Sequence, residues 1–195
     1  MKGFYLAGVV GMLALAACSN SKQGGDNNDI SRQLEKQKYE TDRLISDKSL
    51  LVLAKVKGQH DLVRVENKRY PQDIETTYNV LKDHKGRIVY IAELPFSKTS
   101  EWFIAYKSYF DSTGNLFAFQ RLNNFLNNGC THGAAMENTI RYYDSSFKVV
   151  DSVYTLTDTY KKPLKKEACN FPYNFPYQVF RTLEEYRENR AMPAL

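Results

Sequence analysis

Hydrophobic and polar positions follow three rhythms along this chain, and each predicts a different kind of element. Residues 4–17, FYLAGVVGMLALAA, form an uncharged apolar run behind the short basic end Met1 and Lys2. As a helix it would rise only about 21 Å at ~1.5 Å per residue, short of the roughly 30 Å hydrocarbon core. The pattern therefore predicts a cleaved secretory leader over 1–17. The second rhythm is purely polar: SNSKQGGDNND, residues 19–29, predicts a solvated, flexible tether over 18–29. Residues 30–49 are charged, with Ile30, Leu34, Leu44 and Ile45 too sparse for a continuous stripe, and read as a short helix or an extended lead-in.

From Leu50 the period changes to two. LLVLAKVK places Leu50, Val52, Ala54 and Val56 on one side of a strand, and LVRVEN follows after GQHD, which is a hairpin pattern. A turn then recurs. VLKDHKGRIVYI, SYFDSTGNLFAF and RYYDSSFKVVDS align on Asp83, Asp111 and Asp144, each followed by two polar residues, a fourth position and an apolar strand. Gly86 and Gly114 hold the fourth position in the first two copies, and Phe147 holds it in the third. Asp caps the opening amides of such a turn, while glycine supplies the positive φ that returns the chain. The strands between are rich in rings: EWFIAYKSYF puts Trp102, Ile104, Tyr106 and Phe110 on one face and Phe103, Ala105 and Tyr109 on the other, so both faces are expected to be covered. Near the end, TLEEYREN has Thr182 three before Glu185, a capping box, with Leu183, Tyr186 and Arg190 at helical spacing. The expected fold is mainly β: an antiparallel meander of hairpins over 50–195, as one sheet or a small sandwich, closed by a short C-terminal helix.

Cysteine use sharpens the first rhythm. Leu15-Ala16-Ala17-Cys18 ends the apolar run, and this LAAC resembles the lipobox of bacterial lipoproteins; the remainder resembles small envelope lipoproteins of Gram-negative bacteria. The resemblance implies that Cys18 receives a diacylglycerol, that the leader is cut before it, and that the new amino group is acylated. It implies a membrane partner through lipidated Cys18, and with Ser19 following, the outer membrane. Each buried methylene contributes about 0.8 kcal/mol, and one chain binds only marginally, which is why several are used. Cys130 and Cys169 then remain, in an oxidising compartment, and are expected to bridge. Closing that ~40-residue loop would stabilise the fold by roughly 4 kcal/mol in the chain-entropy model.

Charge and chemistry narrow the function classes further. Loss of Lys2 with the leader lowers the formal charge only from +5 to +4, and the densest basic run, YKKPLKK, reads as a solvated loop, so no nucleic-acid partner is expected. Asp83, Asp111 and Asp144 lack the alternating ligands of a calcium loop and are assigned to turns. Cys130 and His132 are the one nucleophile and base pair close in sequence, without an evident orienting partner. A zinc set drawn from Cys130, His132, Cys169 and His60 or His84 lacks short repeated spacing, so no metal or cofactor is expected. Phosphate loops, nucleophile elbows and metalloprotease helices are missing. With 14 Tyr, 11 Phe and one Trp, the rings are expected mainly in the core, with exposed ones available to stack on sugars or grip a protein. The resulting expectation is a non-enzymatic, lipid-anchored binding domain with a protein or glycan partner. Its alternatives are an envelope hydrolase or thiol enzyme using Cys130 and His132, and an immunity or inhibitor protein masking an enzyme.

Overall fold

The computed structural model describes residues 23–193 and 195. The leader and the lipobox with Cys18 lie outside the described residues. Helix α1 (Gln23–Arg43) is followed by β1 (Leu50–Val56), β2 (Val63–Arg64), β3 (Ile74–Lys82), β4 (Ile88–Pro95), β5 (Trp102–Phe110), β6 (Leu116–Phe125), β7 (Ala135–Tyr143), β8 (Val149–Thr157) and α2 (Leu183–Asn189). All eight strands form one antiparallel sheet in the order β2-β1-β3-β4-β5-β6-β7-β8. Short β2 lies outside β1, and from β3 onward every neighbour is the next strand in sequence. The expected meander is thus a single sheet.

α1 corrects the reading of the tether. The helix already begins at Gln23, inside the segment whose composition predicted coil. Composition reports the cost of starting a helix, whereas a helix held by tertiary contacts further along extends one hydrogen bond at a time. Those contacts are largely polar. Tyr109 Oη donates to Asp42 Oδ1 (2.8 Å), Lys38 Nζ donates to Asp42 Oδ2 (2.7 Å) while lying 4.7 Å from the Tyr109 ring centre, and Ser31 Oγ donates to Asp151 Oδ2 (2.5 Å). Leu34 adds apolar contact, so a sparse stripe suffices where the sheet offers partners.

The Asp turns form as predicted. Asp83 Oδ1 accepts from the amides of Lys85 and Arg87, Asp111 Oδ1 from Thr113 and Asn115, and Asp144 Oδ1 from Ser146 and Lys148, all at 2.8–3.0 Å. The third copy keeps the geometry without glycine: Phe147 takes φ 67° beside 79° for Gly86 and 84° for Gly114. Stacking on Tyr143, with ring centres 4.8 Å apart, holds it there. A fourth copy escaped the sequence comparison. Asp158 Oδ1 accepts from Tyr160 and Lys162, with Lys161 at φ 67°.

Each of the first three turns also shifts the register of the strand that follows. Val89, Phe117 and Val150 have no opposite residue, because pairing steps from Ile88 to Tyr90, from Leu116 to Ala118 and from Val149 to Asp151. Such a bulge places two consecutive residues on one face. Ile88 and Leu116 therefore face one apolar cluster, while Val89 with Tyr90 and Phe117 with Ala118 face the other.

Two coverings protect the two clusters. α1 lies on one face, against β6, β7 and β8. The chain after β8 forms a strap across the opposite face. It is tied at one end by the Cys130–Cys169 disulfide, whose Cα atoms are 4.8 Å apart, and at the other by backbone bonds from Leu116 to Arg181 and from Leu183 to Gly114. Between them Tyr177 stacks on Tyr106 (3.9 Å) and Phe119 (5.4 Å). α2 starts with Thr182 Oγ1 accepting from the Glu185 amide (3.1 Å), and Glu185 Oε2 accepts from the Arg181 amide (2.9 Å), one residue before the capping-box position. Leu183, Tyr186 and Arg190 all turn to the sheet, as their spacing predicted.

Buried Glu93 holds this covering in place. Its Oε2 accepts from Tyr177 Oη (3.0 Å), Tyr186 Oη (3.1 Å) and Arg190 Nε (2.9 Å). A carboxylate out of water needs this many donors. Burial, followed by the Glu93 charge, pushes Tyr177 far above the usual phenol range, and burial does the same for Tyr186. Burial also lifts Tyr78, Tyr90 and Tyr109, and raises Tyr142 to about 12.

Lys161 is exposed and makes no packing contact that glycine would forfeit, so Lys161→Gly should stabilise by about 0.5 kcal/mol, the left-handed strain relieved less the chain entropy gained. Phe147→Gly should instead destabilise by about 1–2 kcal/mol, because its packed ring outweighs the same relief. Urea titration of both variants checks the opposite signs. A raised phenol pKa stabilises fully below the unfolded value of 10.0 and is lost as pH climbs through the folded value. Stability should therefore fall above about pH 10, with the share of phenolate absorbance that belongs to the buried rings appearing together with loss of circular dichroism. Ionisation of every tyrosine while the dichroism stays native would contradict this.

Candidate ligand-binding cleft

The hairpin connections sort themselves between two ends of the sheet. The turns at Asp83, Asp111 and Asp144 share one end, and the longer loops after β4 and β6 share the other with the Asp158 turn and the disulfide. α1 covers only part of its face. Beyond it, at the loop end of β3 to β6, the same face opens into a cleft of about 960 Å³. Strand alternation places the floor: Thr77 and Asn79 continue the row of Leu81, Leu94 that of Ala92, Phe103 that of Tyr109, and Asn124 that of Ala118.

Large apolar side chains gather at its rim. Tyr70 (54% exposed), Phe96 (58%), Phe103 (48%) and Leu126 (41%) all line this cleft. The rim is fixed by bonds that prolong the strand ladders, from the Phe96 amide to Glu75 O (2.9 Å) and from the Leu126 amide to Glu101 O (2.8 Å). Trp102, the sole tryptophan, also lines it, its ring against Phe175 at 5.2 Å and Tyr173 at 6.4 Å on the strap.

Two smaller recesses adjoin it. One of about 420 Å³ shares Tyr70 and Asn79, and one of about 350 Å³ shares Asp73, Ile74, Phe96 and Lys98. A ring therefore stands at each junction, Tyr70 on one side and Phe96 on the other. Some of the charges along this path are engaged. Lys68 Nζ bonds Asp47 Oδ2 (2.9 Å), which raises the lysine pKa, first through that hydrogen bond. Glu101 accepts from Tyr173 Oη (2.7 Å), and this bond, ahead of one from Thr99, lowers its carboxyl pKa.

The residues singled out from sequence fall elsewhere. Asp83, Gly86, Asp111, Gly114 and Asp144 sit at the opposite end, in turns. The bond from Arg87, ahead of the other contacts, holds the Asp83 carboxyl down at about 2, and Ser146 lowers that of Asp144. Cys130 and Cys169 are bridged, so neither presents a free thiolate. Buried Asn128, which the sequence did not mark, organises their loop. It donates to Phe125 O and Gly133 O and accepts from the Cys130 and Thr131 amides. His60, His84 and His132 are exposed on three separate segments, and no group of three His, Cys, Asp or Glu side chains is placed to hold a metal among the described residues.

The chain matches no family model, no curated protein and no solved structure. No helix among the described residues is long and apolar enough to cross a membrane.

A rim ring standing half in water contributes little to folding. Phe96→Ser and Phe103→Ser should each cost less than about 1 kcal/mol, whereas Phe125→Ser, from the buried residue beside them, should cost about 3 kcal/mol or more. Denaturation midpoints of the three variants measure the contrast.

Proposed function

We propose that this protein is a lipid-anchored component of the cell envelope, held at the outer membrane, whose sheet serves as a non-enzymatic binding domain with the cleft as its ligand site. One observation carries the second half. In a sheet that buries rings on both faces, Tyr70, Phe96, Phe103 and Leu126 stay exposed around a single concavity. Exposed apolar patches that converge on a preformed concave site mark interaction surfaces.

The anchor rests on the apolar leader ending in LAAC and on Cys18. With Cys18 lipidated and α1 beginning at Gln23, the helix would start within five residues of the bilayer, so the domain would stand close to it. The thiol-enzyme alternative loses its nucleophile while Cys130 is bonded to Cys169.

Radiolabelled palmitate should be incorporated by cells expressing the full chain and not by cells expressing Cys18→Ala; equal labelling would remove the anchor. For the cleft, a benzophenone amino acid at position 96 or 103 should give a crosslinked adduct on irradiation of intact cells. The same group at position 149, an exposed site on β8, should give none. Absence of adducts from both cleft positions would remove the ligand site.

A further inference from the structure

The cleft and its two side recesses make one groove, and their chemistry specifies an occupant more narrowly than binding alone. We propose that the groove takes a neutral oligosaccharide, with successive sugar rings seated in the three recesses; this rests on the reading of the cleft as a ligand site. Three observations point the same way.

The first is shape. The volumes of about 960, 420 and 350 Å³ adjoin through shared side chains, Tyr70 with Asn79 on one side and Phe96 with Lys98 on the other. A path of recesses with an aromatic ring at each junction suits a ligand built of repeating flat units. Pyranose rings present C–H faces that pack on an aromatic ring, with hydroxyls directed sideways.

The second is the kind of polar group on offer. Asn79 and Asn124 line the floor, Asn67 lines the recess of about 420 Å³, and Thr77 and Ser97 add hydroxyls. A side-chain amide donates and accepts at once, matching a vicinal diol, whose two hydroxyls do the same. Ser97 Oγ is shielded from solvent and has no hydrogen-bond partner, so one polar atom of the lining is left to be satisfied.

The third is charge. Lys68 is paired with Asp47, and the other charged side chains of the groove, Lys57, Lys98, Asp73, Glu75 and Glu101, are of both signs. A ligand of one charge would meet like charge as well as unlike charge along the groove. A peptide strand would need an open sheet edge for its backbone bonds, but the groove lies over a sheet face between β3 and β6, each already paired on both sides.

Calorimetry provides the readout, since the ring of the sole tryptophan, Trp102, packs on Tyr173 and Phe175 of the strap. The full-length protein in detergent would be titrated with cellotetraose, chitotetraose and maltotetraose, and with glucose and N-acetylglucosamine. At least one tetrasaccharide should give a saturable heat of binding, with its monosaccharide binding about tenfold more weakly or worse. Phe96→Ala and Asn124→Ala should each weaken that tetrasaccharide about tenfold while moving the thermal midpoint by no more than about 3 °C. No binding of any tetrasaccharide, together with a peptide adduct at position 96, would overturn the glycan and leave the ligand site standing. No binding and no adduct would overturn both.

Discussion

A single sheet with large side chains on both faces has two surfaces to keep from water, and nearly everything else in this molecule follows from that constraint. Strand pairing satisfies the backbone but buries neither face. The strap after β8 covers one of them, through Tyr177 on Tyr106 and Phe119, and through α2. α1 covers the other over β5 to β8. The shortfall at the loop end of β3 to β6 is the cleft.

The repeated turns serve this two-sided demand more subtly than by reversing the chain. The bulges after the Asp83 and Asp111 turns reset the alternation, so that the residue nearest the turn packs under the strap while the next two face α1. A sheet without these resets would place Tyr90 and Ala118 on the wrong side. The Asp carboxylates therefore act on packing from a distance, by fixing where the register slips. Glu93 works at closer range, joining β4 to two tyrosines and an arginine of the strap and α2.

Local chemistry was legible in the sequence, and long-range partnership was not. Asp83, Asp111 and Asp144 announced their turns because an Asx cap needs only residues within four positions. Thr182 and Glu185 announced α2 for the same reason, and Cys130 with Cys169 followed from parity. The Asp158 turn hid because Lys161 replaces the glycine that marks the motif, just as Phe147 blurred the third copy. The start of α1 hid because polar residues hold helices only when a surface is waiting. Glu93, Asn128 and the cleft were out of reach, since each depends on groups from distant segments, or on a helix that stops short of one part of a face. A trace of the cleft was present in YPQ, LPF and EWF, where rings occur at strand boundaries, outside the alternating core.

The order in which the coverings are synthesised differs from the order of the sheet. α1 precedes every strand, so its face has a cover ready as β6 to β8 are added. The strap comes last. Until the residues beyond β8 have joined the folding chain, Tyr106, Phe119 and Ile104 would have a paired backbone and no roof, and the carboxylate of Glu93 would have none of its three donors. A nascent chain at that stage is a greasy plate open on one side, the state in which sheet proteins stick to one another, and chaperones would meet it there.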